Sequence, residues 1–217
     1  MKTQRKKKAE QVRILEQLWD TGFTVAAHQL GKCWRDGMGV LPDDEQAELW
    51  FRRAAEAGHD FSQYALGKLL QSQKQMEEAV SWYEKAAEQG NLWAAYRLGK
   101  LYLEGKDVSK NAARAVEYLT DAAQAGNQYA QYTLGKLYLT GEDVTQDREQ
   151  AYRWFWESAL QGNEYAQFFL DHINDNRSPN VLLSATRLLH HMGRIFQDNS
   201  IPPCPPGSQR ADRKLLQ

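Results

Sequence analysis

The sequence predicts an all-α chain, a right-handed solenoid of stacked helix pairs closed by a capping helix at each end. Three observations carry this expectation. Glycines at positions 22, 58, 90, 126 and 162 are spaced by 36, 32, 36 and 36 residues. Each opens a recurring block, clearest as GNxxAxYxLGKLYLxGxDV over residues 90–108 and 126–144. Apolar residues within the blocks fall at helical spacing, and no stretch alternates as a half-buried strand would. A period of this length marks units that bury their apolar faces only against their neighbours.

Composition narrows the class. A chain of 217 residues holds either one ordinary core or about five such units with no single centre. A hydrophobic content of 42% and a net charge of −1 suit a soluble helical protein, with no global pull toward nucleic acid or membrane. Cys33 and Cys204 stand far apart in unlike contexts and make neither a disulfide framework nor a metal pattern. The N-terminal MKTQRKKKAEQ lacks the apolar stretch of a secretory signal, and no segment is long and apolar enough to span a bilayer. The expectation is a cytoplasmic protein.

The elements follow in order. Residues 1–8 read as a basic disordered tail. Residues 9–21 read as a capping helix with Val12, Leu15 and Trp19 on one stripe and Ile14 and Leu18 beside it. Residues 22–172 hold the repeats, which begin near 22, 58, 90, 126 and 162. In the repeat at 126–161, Gly126 suits the left-handed position that closes one helix, and Asn127 can cap the next. Ala130, Leu134, Leu137 and Tyr138 form the buried stripe of a first helix. Gly135 sits inside that helix, where glycine costs about 1 kcal/mol relative to alanine. Its recurrence at 31, 67 and 99 predicts close approach of a neighbouring helix. Asp147 with Gln150, and Asp43 with Gln46, have the spacing of a capping box, and Asn111 takes the same place in the third repeat. The second helix then carries Ala151, Trp154, Phe155, Ser158 and Ala159.

Departures from the pattern are informative. The second repeat lacks four loop residues, which predicts a tighter turn, and in the fifth Asp171 stands where the other repeats have the helix glycine. Ser178-Pro179 is a good start for a closing helix over 178–197, with Val181, Ala185, Leu188, Met192 and Ile195 aligned. Residues 198–217 are Pro-rich and polar and read as a disordered tail.

The alternation of a helix bearing AxxxLGxxY with one bearing AxxWYxxAAxxG, joined by GxxVxxD, resembles the Sel1-like repeat, a relative of the tetratricopeptide repeat. The resemblance covers roughly residues 22–172. It implies a non-catalytic scaffold that binds a protein or peptide partner in a concave groove lined by the first helices. A narrower resemblance concerns LLSATRLLHHMGRIF, which is similar to the C-terminal region of mobilisation relaxases of Firmicutes conjugative elements. It implies, as the alternative, an accessory relaxase tail that assists nucleoprotein assembly. The clustered histidines and tyrosine nucleophile of a relaxase nicking domain have no counterpart in this sequence.

The residues offer little chemistry. His28, His59, His172, His190 and His191 form no HExxH, and the adjacent pair at 190–191 points about 100° apart around a helix. No GxSxG appears and neither cysteine has an assignable histidine. The sequence therefore calls for no enzyme, no cofactor and no metal.

The most suggestive constellation is a ladder of aromatic and cationic residues four apart on the first helices: Tyr64 with Lys68, Tyr96 with Lys100, and Tyr132 with Lys136. His28 with Lys32 and Phe168 with His172 are weaker versions. Residues four apart share a helix face, and helices packed about 10 Å apart would spread the ladder across a groove fit for a segment carrying acidic and apolar groups. The same residue types also serve as half-buried packing rings and solvated cations. The dyads Trp50-Phe51, Trp82-Tyr83 and Trp154-Phe155 read as core. Trp156 and Leu160 form an apolar patch, either under the closing helix or exposed as a contact surface. The basic Arg5, Lys6, Lys7 and Lys8 offer at most a weak, salt-sensitive phosphate contact.

Overall fold

The computed structural model describes residues 2–174 and 178–198. The described residues form eleven α-helices: α1 Lys2–Asp20, α2 Thr24–Asp36, α3 Asp44–Glu56, α4 Asp60–Ser72, α5 Met76–Glu88, α6 Leu92–Glu104, α7 Ala112–Gln124, α8 Gln128–Thr140, α9 Arg148–Leu160, α10 Glu164–His172 and α11 Pro179–Asp198. They divide into two compact bodies, Met1–Leu170 and Asp171–Gln217.

The first body is the solenoid. Each first helix (α2, α4, α6, α8) packs on the second helix of its own repeat, and that one packs on the next first helix. Successive apolar clusters run from α1 to α9: one joins α1 to α3, a second spans α3 to α7, and a third spans α6 to α9. Such a core grows along the array rather than around a centre. At its start Val12 is buried among Ala27, Leu30, Cys33, Trp50 and Ala54, with Leu15 and Trp19 against the same cluster. The Trp19 and Trp50 rings meet edge to face at 6.3 Å. Ile14 and Leu18 stay exposed.

The recurring helix glycines explain how closely each pair packs. A methyl group at Gly31, Gly67, Gly99 or Gly135 would lie 2.5, 2.7, 2.6 or 2.7 Å from Phe51, Tyr83, Leu119 or Phe155 respectively. All four partners are fully buried. Gly126, at φ +91, closes α7 as the sequence predicts. Asp43, Asn111 and Asp147 cap the second helices by accepting from the backbone N–H of Gln46, Arg114 and Gln150.

Only half of the expected capping box forms at these positions. The capping residues' own N–H groups donate to Trp34, Tyr102 and Tyr138 carbonyls at 2.9, 3.0 and 2.9 Å, which fastens each loop to its first helix. The turn of the second repeat is shortened as expected, to residues 73–75 between α4 and α5 against 105–111 between α6 and α7. It holds Lys74 at φ +63.

Two expectations are corrected. Helix α1 begins at Lys2, so residues 2–8 extend the helix instead of forming a tail. The run Gln4–Glu10 consists of good helix formers, and nothing in it ends a helix. Phe169 is buried and stacks on Phe155 with centroids 4.6 Å apart and planes 1° apart. In the second body Leu182 and Thr186 are buried while Val181 and Leu188 are exposed. Helix α11 carries two adjoining apolar rows, and burial falls on the row through Leu182 instead of the one through Val181 and Leu188. The proposed tail at 198–217 lies, from residue 199 on, outside the described residues.

Candidate functional site

The ladder anticipated from sequence lies on α2, α4, α6 and α8, one step per repeat. Tyr64, Tyr96 and Tyr132 are half-buried. Each ring leans on a neighbouring element: Tyr64 meets Tyr83 at 5.9 Å, Tyr96 meets Tyr129 at 6.1 Å, and Tyr132 meets Phe155 and Phe169, both at 6.0 Å. Burial pushes the Tyr64 and Tyr96 phenols above their usual range, with Arg97 opposing at both. Both of these phenols therefore stay neutral at any physiological pH.

The cations are placed less uniformly. Lys68 Nζ sits 5.8 Å from the Tyr64 ring centre and Lys136 Nζ sits 5.2 Å from that of Tyr132. Lys100 turns instead along its own helix to the Glu104 carboxylate, 3.3 Å away. Lys32 is half-buried and near His28. The ladder's rings are thus part of the packing, and Lys68 and Lys136 lie over theirs.

Trp156 and Leu160 are 49% and 67% exposed. Trp156 stacks on Tyr152 at 6.3 Å, one turn back on α9.

Three arrangements escaped the sequence reading. The first is an outward row three residues ahead of each ladder position: Val25, Phe61, Trp93 and Tyr129, exposed by 53, 53, 39 and 44%. Trp93 and Tyr129 meet across repeats at 6.1 Å. The repeating column F61, W93, Y129 and Y165 could have revealed it, since aromatics recur there although the helix's buried stripe lies elsewhere.

The second arrangement is a glutamine clamp. Buried Gln63 donates to the Ala55 carbonyl at 3.1 Å and accepts from Gln89 at 2.6 Å; buried Gln131 repeats this with Ala123 at 3.0 Å and Gln161 at 2.8 Å.

The third is a joint between the first two repeats. His28 Nδ1 and His59 Nδ1 both reach the fully buried Ser62 hydroxyl, at 2.8 and 2.9 Å, and the two rings lie 4.8 Å apart. The Ser62 backbone N–H also donates to His59 Nδ1, at 3.2 Å. His59 Nδ1 is therefore an acceptor, the hydroxyl donates to it, and His28 Nδ1–H donates to the hydroxyl. Burial first, then His59, Lys32 and Arg35, lower the His28 pKa to about 4. Burial and these neighbours thus hold His28 neutral, with its proton on Nδ1.

Among the described residues no three His, Cys, Asp or Glu side chains gather as a metal site, and no helix is long and apolar enough to cross a membrane. Cys33 is buried, which raises its thiol pKa.

Comparison with known proteins agrees with this geometry. No curated protein matches the sequence. Among solved structures, a protective antigen of uropathogenic Escherichia coli with an SLR fold is 30% identical with a TM-score of 0.74, over 89% of this chain and 45% of that one. A Sel1 repeat protein from Oxalobacter formigenes is 34% identical with a TM-score of 0.64, over 68% of this chain and 63% of that one. An immunity protein of Pseudomonas aeruginosa, 24% identical over 89% of this chain and 81% of that one with a TM-score of 0.50, shares the fold alone. The chain thus spans about half of the Escherichia coli antigen and somewhat under two thirds of the Oxalobacter protein. Four successive matches to the Sel1 repeat cover residues 24–59, 61–91, 94–127 and 128–163, and the chain belongs to the Sel1 repeat family.

Proposed function

We propose that this chain is a non-catalytic, cytoplasmic protein-interaction scaffold that docks a partner segment across its first helices, in the groove they line. One observation carries the reading. From repeat to repeat the first helices present a half-buried aromatic ring with a cation beside it, at Tyr64 and Lys68 and again at Tyr132 and Lys136. A packing role alone accounts for the rings. It does not account for a lysine at the same place in each of α2, α4, α6 and α8. Helix α1, with Val12 buried against α2 and α3, serves this reading as an end cap. The relaxase-tail alternative rests on the LLSATRLLHHMGRIF string alone, and no structural feature favours it.

The test is capture of partners from the native host with the full chain and with the triple variant Lys68→Glu, Lys100→Glu, Lys136→Glu. Loss of the captured partner with an unchanged melting temperature is the expected result. Retained capture moves the binding surface elsewhere, and loss of folding makes the ladder structural.

A further inference from the structure

The outward row and the lysines divide one face into two parallel stripes. Val25, Phe61, Trp93 and Tyr129 precede Lys32, Lys68, Lys100 and Lys136 by seven residues each. Seven residues make almost two turns, so both stripes lie on the same helix face, about 10.5 Å apart along each helix axis. The half-buried His28, Tyr64, Tyr96 and Tyr132 occupy the strip between them.

Charge is segregated in the same sense. Helices α2, α4, α6 and α8 hold six Lys and Arg residues against three Asp and Glu. Helices α3, α5, α7 and α9 hold six against twelve. The three carboxylates of the first helices are engaged locally: Asp36 by Arg35, Glu104 by Lys100, and Asp60 by the Asn91 amide. A chain of net charge −1 therefore offers a basic face on its first helices and an acidic one on its second. An acidic partner is drawn to the first helices and repelled from the second.

Resting on the docking reading above, we infer that the occupant is an acidic amphipathic helix of a partner protein, laid across the first helices. Its apolar stripe covers the row Val25–Phe61–Trp93–Tyr129, and its flanking Asp and Glu residues face the lysines. A helix about 10–12 Å across with its side chains reaches both stripes at once. The row is continuous from repeat to repeat where the Trp93 and Tyr129 rings meet at 6.1 Å, which gives the occupant's apolar stripe one unbroken track to follow. Nucleic acid fits less well. The apolar row would face a phosphate backbone, and the cations number about one or two per helix.

The test is selection from a phage-displayed library of random 20-residue peptides against the full chain. The expected pool carries apolar residues at i, i+3, i+4 and i+7 with Asp and Glu on the flanks. A synthesised member should gain helicity on binding and weaken in high salt. It should lose at least about tenfold in affinity against Trp93→Ala/Tyr129→Ala and against Lys68→Glu/Lys100→Glu. It should bind Glu117→Lys, on the second-helix face, unchanged. Phe61→Ala replaces the aromatic pair if that variant melts early.

A pool of extended, proline-interrupted or basic peptides that still loses binding to Lys68→Glu/Lys100→Glu overturns the acidic helix and leaves the docking face standing. Binding indifferent to both variant pairs, or no enriched pool, overturns both. Displacement of the peptide by an equal concentration of oligo(dT) makes the face a nucleic-acid site and overturns the inference.

Discussion

Gly99 lies so close to Leu119 that a methyl group added at the glycine would come within 2.6 Å of Leu119 Cγ. The Ala115 carbonyl would be 3.1 Å away, so the obstruction includes backbone that cannot swing aside. Replacing Gly99 with leucine forces α6 and α7 apart and should cost at least about 1–3 kcal/mol of overpacking. The adjacent Lys100→Ala removes only an ion pair with the half-exposed Glu104 and should stay within about 0.5 kcal/mol. Urea denaturation of the two variants measures the difference. Equal midpoints would show that the helices adjust freely and that the glycine's recurrence has another cause.

The shortened turn of the second repeat stores strain that one substitution should release. Lys74 is exposed and sits at φ +63, a region that costs a residue with a side chain about 1–2 kcal/mol. Lys74→Gly removes that cost but loosens the unfolded chain. The net gain should be about 0.5 kcal/mol, read as a higher urea midpoint. Lys74→Val, branched at Cβ, should lower the midpoint instead.

Much of the fold was legible because each repeat states its instructions locally. The glycine that closes α7, the caps at Asp43, Asn111 and Asp147, and the buried Phe51, Tyr83 and Phe155 each follow from a residue type at a fixed offset. What stayed hidden depends on contacts between repeats. Ser62 gives no sign in sequence that two histidines 34 and 3 residues before it will share its hydroxyl. The Gln63–Gln89 and Gln131–Gln161 clamps join positions 26 and 30 residues apart, with Ala95 in the same column of α6. The outward row was hidden for another reason. An aromatic residue near a helix start reads as core until the burial of its neighbours shows the face to be turned outward.

The clamp itself predicts an asymmetry between two glutamines. Gln131 is buried and serves the Ala123 carbonyl and the Gln161 amide together. Gln131→Ala removes both bonds, although the carbonyl keeps the Gly126 N–H, and should cost about 1 kcal/mol. Gln124→Ala, exposed at the end of α7, should change stability by less than about 0.5 kcal/mol. Thermal melts of both variants provide the comparison. A Gln131→Ala protein as stable as the parent would mean that water takes over the bond.

The histidine joint should make the array sensitive to mild acid. His28 is held at a pKa of about 4 against an ordinary 6.5, through burial and then His59, Lys32 and Arg35, with Asp60 opposing. No charged group of α3 faces it closely; there the ring meets Phe51 at 5.7 Å. Because the folded pKa is depressed, the unfolded chain binds the proton more readily. The contribution of neutral His28 is therefore complete above pH 6.5 and is lost as the pH falls from 6.5 toward 4. Each pKa unit corresponds to about 1.36 kcal/mol, and solvent screening of the half-buried ring brings the loss to about 1–2 kcal/mol. Carboxylates also titrate at the lower end of this window, so the comparison is with His28→Gln, which can donate to Ser62 without titrating. The parent should lose stability between pH 6.5 and 4.5 in urea melts while His28→Gln changes much less. Parallel pH profiles for the two proteins would show that His28 is charged in the folded state and that the joint does not depend on its neutrality.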